Sequence, residues 1–90
     1  VLHRALRAAE SLWLAGARDG EALREAMRAV LAAEPLARVD YVSAADPMTL
    51  AEWEGAISPG AGVLLSMAVF VGQTRLIDNF LLTDPEPAGE

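Results

Sequence analysis

The feature that most constrains the fold is the apolar run VLLSMAVFV at residues 63–71. The run has the length of a typical strand, and Ser66 is its single polar residue. A half-buried strand alternates apolar and polar residues, whereas a nearly continuous apolar strand is typical of one that is covered on both faces. The run therefore predicts a strand that is central in a small sheet and covered on both sides.

The sequence on either side of this run predicts its neighbouring strands. The tripeptide GQT is short enough to return the chain as a hairpin into RLIDNFLL, residues 75–82. Upstream, RVDYVS at residues 38–43 has the β-branched and aromatic residues that favour a short strand. Between them, Asp46 followed by Pro47 predicts a single turn or a short helix. The glycine-rich GAISPGAG, residues 55–62, predicts a loop.

The first third of the chain has the periodicity of two amphipathic helices. In the first, apolar residues recur within one arc of about 120° at helical period; they are Leu2, Ala5, Leu6, Ala9, Leu12 and Trp13. Asp19 is the predicted N-cap of the second helix, whose apolar positions are Leu23, Met27, Val30 and Leu31. Pro35 predicts the end of that helix, because proline cannot donate the helical hydrogen bond.

These elements predict an α+β domain of two N-terminal helices packed on one face of a small, about three-stranded antiparallel sheet that ends in a hairpin. A chain of 90 residues is long enough for one hydrophobic core and too short for two. We expect the domain to span residues 1–82. The polar, proline-rich TDPEPAGE at residues 83–90 predicts a flexible acidic tail.

Charge and composition exclude several functions. The formal net charge of −6 argues against nucleic acid or anionic lipid as a partner. The sequence contains no cysteine and no lysine, which excludes a thiolate nucleophile, a cysteine zinc site and Schiff-base chemistry. No apolar run approaches the length of a membrane span, so we expect a cytoplasmic protein.

Three polar residues stand out in the last predicted strand, TRLIDNFLL: Arg75, Asp78 and Asn79. Strand alternation places Arg75 and Asp78 on opposite faces, so each needs a partner elsewhere. Either a site or a register-fixing role would explain them, and no nucleophile or base lies near them in the sequence. We expect Asp78 to accept hydrogen bonds from backbone amides or an arginine outside its own strand. Arg75 is the candidate for reaching beyond the domain.

Other residues give weak signals for chemistry. The single histidine, His3, has no second histidine at metal-ligand spacing. Glu52 and Glu54 flank Trp53 without a partner base, which favours a solvated loop around a packed indole. SPGAG lacks the spacing of a phosphate-binding loop. The residues therefore predict no catalytic, cofactor-binding or metal-binding position.

Four segments in sequence order carry a family resemblance: VLHRALRAAESL, VDYVSAADPMTL, LLSMAVFVG and RLIDN. Together they resemble the C-terminal domain of bacterial pantothenate synthetases, the pantoate–β-alanine ligase family. The resemblance extends to Leu82. It implies an ATP- and Mg²⁺-dependent enzyme that joins pantoate and β-alanine through a pantoyl adenylate.

The resemblance also implies a partner, a larger N-terminal Rossmann-like catalytic domain over which this domain closes as a lid. The HxGH-type and serine-rich motifs of that family are absent from this sequence, so no catalytic residue is transferred, and this chain alone is expected to bind neither ATP nor Mg²⁺. A free-standing α+β interaction module without catalytic function is the alternative, because fold alone does not fix function.

Overall fold

The computed structural model describes residues 2–84 and contains two helices and three strands. The elements are α1 (Leu2–Leu14), α2 (Gly20–Ala32), β1 (Ala37–Ala45), β2 (Val63–Val71) and β3 (Thr74–Leu82). The helices pack against one face of a three-stranded antiparallel sheet, which confirms the predicted α+β class.

The helices follow the predicted apolar pattern closely. Each buries one stripe of side chains, and Leu12 alone of the predicted arc in α1 is more than one-third exposed, at 37%. Asp19 caps α2 as predicted, since its carboxylate accepts a hydrogen bond of 3.0 Å from the amide of Glu21. Within the described residues, no helix is long and apolar enough to cross a membrane.

The sheet has the order β1-β2-β3, so the apolar run is the central strand, as predicted. The β2–β3 hairpin turns through Gly72, which adopts a φ of 63° that favours glycine. In the β1–β2 ladder the register shifts between Val39 and Tyr41, which leaves Asp40 as an extra residue in β1. From this bulge, Asp40 forms an ion pair with Arg75 on β3.

The two faces of β2 differ in how they are covered. Val63, Leu65, Met67 and Val69 are completely buried and form the core with the helices. The intervening side chains point away from the helices, and Leu64, Ser66 and Phe70 remain half-buried. The prediction that both faces are covered is therefore wrong for residues 2–84. The cause is that the helices, and the loop residues that join the core, all lie on one side.

The loop after β1 begins with the predicted single helical turn. The amide of Leu50 donates to the carbonyl of Asp46 at 2.7 Å, and the Asp46 carboxylate accepts from the amide of Met48 at 2.8 Å. Leu50 then adopts a φ of 66°, which ends the turn. The rest of the loop returns along the helix layer and places Ile57 in the core.

Gly20 allows the start of α2 to lie directly against the returning loop. A Cβ atom at this position would approach the carbonyl oxygen of Trp53 to 2.0 Å and its Cβ atom to 2.6 Å. The amide of Gly20 also donates to the carbonyl of Gly55 at 3.0 Å. The backbone of α2 at Gly20 therefore packs directly against residue 53 of the loop, and no flexible side-chain end there could move to make room for a Cβ atom.

Gly20→Ala is expected to destabilise the fold by about 1–3 kcal/mol, because relieving the clash requires the loop to shift. Urea unfolding monitored by tryptophan fluorescence measures this change. Gly55→Ala is the matched control, since nothing lies within 4 Å of a Cβ atom there. Equal unfolding midpoints for the two variants would show that the loop moves at no cost.

Contacts with the helix layer continue for two residues beyond the predicted boundary at Leu82. The indole Nε1 of Trp13 donates to the carbonyl of Thr83 at 3.0 Å, and Asp84 contacts both Arg18 and the amide of Gly60. The first two residues of the predicted tail are thus held against the helix layer, because they carry a carbonyl and a carboxylate that meet donors there. Residues 85–90 lie outside the described part of the chain.

Candidate functional site

Arg75, the first of the predicted site residues, pairs with Asp40 on the far strand of the sheet. Its Nη2 and Nε atoms lie 2.9 Å and 3.1 Å from Oδ2 of Asp40. This partner belongs to the same domain, whereas the sequence made Arg75 the candidate for a contact beyond the domain. Both side chains are about two-fifths exposed, so the pair contributes little to stability.

Asp78 has a backbone amide of its own strand as its hydrogen-bond partner. Its Oδ1 atom accepts a hydrogen bond of 2.9 Å from the amide of Asn79, which belongs to the same strand. No arginine of residues 2–84 lies within salt-bridge distance of its carboxylate. The reason is that β3 is an edge strand of this sheet, where a carboxylate remains in water. A charge in such a strand also opposes pairing with another chain.

Asn79 belongs to a polar row that crosses all three strands. Its register partner is Ser66, whose partner on β1 is Ser43. The row lies on the side of the sheet that faces away from the helices, here called the open face. On either side of it lies a row of mainly apolar residues; these rows are Tyr41–Ala68–Ile77 and Ala45–Leu64–Leu81.

A fourth row on the open face carries the arginines. Arg38 and Arg75 are both register partners of Phe70, and the Arg38 guanidinium lies 4.8 Å from the centroid of the Phe70 ring. Arg75 is neutralised by Asp40, whereas Arg38 has no carboxylate within 4 Å among residues 2–84. The other arginines all form ion pairs, so Arg38 is distinct in this part of the chain.

A small cavity of about 130 Å³ lies between α1 and β3. It is lined by His3, Leu6, Arg7, Asp78, Asn79 and Phe80. It thus brings His3 near two of the predicted residues, but its surface is largely apolar, and Arg7 is paired with Glu10 at 3.2 Å. Within residues 2–84, no three His, Asp or Glu side chains converge as metal ligands would.

A buried arginine joins α2, β1 and the loop, and the sequence reading did not identify it. Arg24 has 8% of its surface exposed, and its guanidinium lies 2.9 Å from both Glu21 Oε1 and Glu52 Oε1. Glu52 also accepts from the amide of Ala44 at 3.1 Å and from the hydroxyl of Ser43. The Glu52 side chain is 42% exposed, which agrees with the predicted solvated loop, and its carboxylate also accepts structural hydrogen bonds.

The sequence contains a signal for this network. Arg24 lies three residues before Met27 and seven before Leu31, so helical period places it on the buried stripe of α2. It also follows Glu21 at a spacing of three residues, which allows an ion pair on the helix. The ion pair between Arg24 and Glu52 could not be predicted from the sequence, because that contact depends on the path of the loop.

A second cluster fixes Asp84 against the end of α1. The Arg18 guanidinium stacks 3.6 Å from the centroid of the Trp13 ring and lies 2.7 Å from Oδ1 of Asp84. Oδ2 of Asp84 accepts from the amide of Gly60 at 3.0 Å. The hydrogen bond from Arg18 lowers the pKa of Asp84; partial desolvation opposes the shift, and the Gly60 amide adds to it.

The Asp84 cluster gives a pH prediction. A carboxyl whose folded-state pKa is depressed stabilises the fold above its unfolded pKa of about 3.9, and this contribution is lost as the pH falls through the folded pKa. An NMR titration of the side-chain carboxyl should therefore give a pKa below the ordinary aspartate value, and Arg18→Gln should raise it. An unchanged pKa in Arg18→Gln would contradict the assigned cause.

Comparison with known proteins identifies one family. Residues 1–81 match the family model described as pantoate-beta-alanine ligase. Over 82 residues, the chain is 60% identical to the pantothenate synthetase of Chloroflexus aurantiacus and 52% identical to that of Herpetosiphon aurantiacus. Each alignment covers 91% of this chain.

Comparison with solved structures identifies the same family. The chain superimposes on the crystal structure of pantothenate synthetase from Thermus thermophilus with a TM-score of 0.74 and 29% sequence identity, over 88% of its length. The superposed part is 27% of the Thermus chain.

The matched segment is less than one-third of the length of each of these relatives. The chain spans 28% of the length of the Chloroflexus relative and 29% of the Herpetosiphon relative. The match also begins at the first residue and continues through almost the whole of β3. By this match, the 90-residue chain belongs to the pantoate-beta-alanine ligase family and corresponds to a fragment of that ligase.

Proposed function

We propose that this chain is the lid domain of a pantoate–β-alanine ligase, and that it closes over an active site formed mainly by the rest of the enzyme. The observation that carries the proposal is the family match over residues 1–81, together with its share of 28% in a full-length relative. The substrates would be ATP, pantoate and β-alanine, and the partner would be a larger nucleotide-binding domain of the same chain. A free-standing module would not require such a match along its entire fold.

We place the binding of Mg²⁺–ATP mainly outside this chain. Mg²⁺ prefers oxygen ligands in octahedral geometry, and residues 2–84 bring together no cluster of carboxylates for it. Six of the arginines are already paired with carboxylates. The groups that bind the nucleotide and activate the pantoate carboxylate would therefore come from the partner domain. The lid would exclude water from the acyl adenylate.

The structure of the domain suits movement as one rigid body. Its core is complete on the helix side, and the Arg24 and Asp84 contacts fasten the loop and the C-terminal end to the helices. A domain with internal contacts of this kind would rotate about a hinge without repacking. We assign residues 1–84 to the lid, which extends the sequence-based boundary by two residues.

Closure is tested by energy transfer in the full-length ligase. One dye is attached at Leu36→Cys, a position with 72% of its surface exposed, and the other on the larger domain. Addition of ATP and pantoate should raise the transfer efficiency. A second pair, at positions 14 and 36, lies within the lid and should not change. Constant efficiency between the domains during turnover would contradict the lid proposal.

A further inference from the structure

The open face of the sheet has an apolar surface that nothing in residues 2–84 covers. The central strand is apolar on both sides, yet only the side formed by Val63, Leu65, Met67 and Val69 meets the helices. On the open face, Tyr41 is 40% exposed, Ile77 54% and Leu81 51%. A strand that is apolar on both sides is typical of a sheet that is covered on both faces. The composition of β2 therefore favours a second layer of protein against the open face.

The outer surface of the helix layer has the opposite character. Its charged side chains form a series of ion pairs, namely Arg4–Glu34, Arg7–Glu10 and Arg28–Glu25. Paired charges at exposed positions are typical of a solvated surface, and partners rarely bury them because desolvation is costly. The open face is therefore the better candidate for contact with a partner.

From these contrasts we infer that the open face is the surface with which the lid meets the remainder of the same ligase chain. This inference rests on the proposed lid function. Full-length relatives are more than three times as long as the matched segment, which is 28% of their length. An in-chain partner of substantial size is therefore expected next to this domain.

The mixed polarity of the open face favours a contact that opens and closes. The apolar rows are separated by Ser43, Ser66 and Asn79 and bordered by charged Arg38. Interfaces between domains of one chain are more polar than those of permanent dimers, which resemble a protein core. A permanent second copy would be expected to bury a more continuous apolar surface than this one.

Arg38 specifies the charge of the opposing surface. Its guanidinium has no carboxylate within 4 Å in residues 2–84, and its position over Phe70 holds it at the edge of the open face. With Arg75 neutralised by Asp40, this region is positive in a chain of net charge −6. An anionic group on the partner domain or its bound substrates would complement Arg38.

Cysteine labelling in the full-length ligase tests the assignment of the face. This chain has no cysteine, so Ile77→Cys on the open face and Leu14→Cys on the helix layer can each be introduced singly, after cysteines elsewhere in the enzyme are replaced. Both positions are at least half exposed, so neither change removes core packing. The maleimide reaction rate is measured with and without ATP and pantoate, relative to the urea-unfolded enzyme.

We expect residue 77 to react about tenfold more slowly when substrates are bound, as a closed state populated at about 90% would require. Residue 14 should react at the same rate in both conditions. Protection of residue 14 instead would overturn the assignment of the open face and leave the lid proposal intact. If neither position is protected and the energy transfer does not change, the lid proposal itself fails. Protection that depends on protein concentration would assign the face to a second copy and overturn the inference.

Discussion

The isolated 90-residue chain is expected to fold cooperatively and to release no AMP from ATP, Mg²⁺, pantoate and β-alanine. Folding is expected because the helices bury one face of the sheet within this chain, around Leu23, Met27 and Leu65. Inactivity is expected because adenylation needs groups that bind the triphosphate and stabilise developing charge. This chain has no lysine and a single histidine, which lies at the surface in α1.

Two measurements check this prediction. Urea unfolding followed through Trp13 and Trp53 should show one transition, and an AMP assay should give only the buffer background. Adding the separate remainder of the ligase should raise AMP release above what that remainder gives alone. Turnover by the pure 90-residue chain would contradict the assignment of catalysis to the other domain.

Arg24→Ala is expected to produce the largest loss of stability of any single substitution proposed for this chain. The guanidinium joins Glu21 on its own helix to Glu52 in the loop, and it is nine-tenths buried. Removing one member of a buried ion pair costs about 3–5 kcal/mol. Both carboxylates remain two-fifths to one-half exposed, so we expect a loss of about 3 kcal/mol, the lower end of that range.

The matched control is Arg28→Ala, whose guanidinium is 42% exposed and pairs with Glu21 and Glu25 at 3.6 Å and 3.7 Å. This change is expected to cost less than about 1 kcal/mol. Arg24→Lys should restore only part of the stability, because one ammonium group lacks the planar fork that contacts both carboxylates. Equal unfolding free energies for Arg24→Ala and Arg28→Ala would contradict the network's role.

The helices, the strand order and the hairpin were predictable because each depends on local sequence. Asp19 caps its own helix, and the period of the apolar residues identifies each buried stripe. The central position of β2 follows from its apolar run. Residues 2–84 leave its second face uncovered, because composition shows that a face is apolar and does not show which part of a protein covers it.

The contacts of the polar residues were less predictable, because they join segments far apart in sequence. Arg75 reaches Asp40 only because a bulge adds that residue to β1. Asp78 was expected to need a partner because an unpaired buried charge is costly, whereas its position in an edge strand leaves it exposed to water. Asp84 looked like part of a tail, and its contacts with Arg18 and Gly60 required the fold to be known.

The ratio of AMP released to pantothenate formed tests the lid account most directly. It is measured for the full-length ligase and for a variant that lacks residues 1–90 of this chain. A lid that keeps water from the acyl adenylate predicts a ratio near one for the full-length enzyme. The shortened enzyme should turn over at least about a hundredfold more slowly, with AMP in excess of pantothenate because water captures the intermediate. Equal rates and a ratio near one in both enzymes would contradict the account.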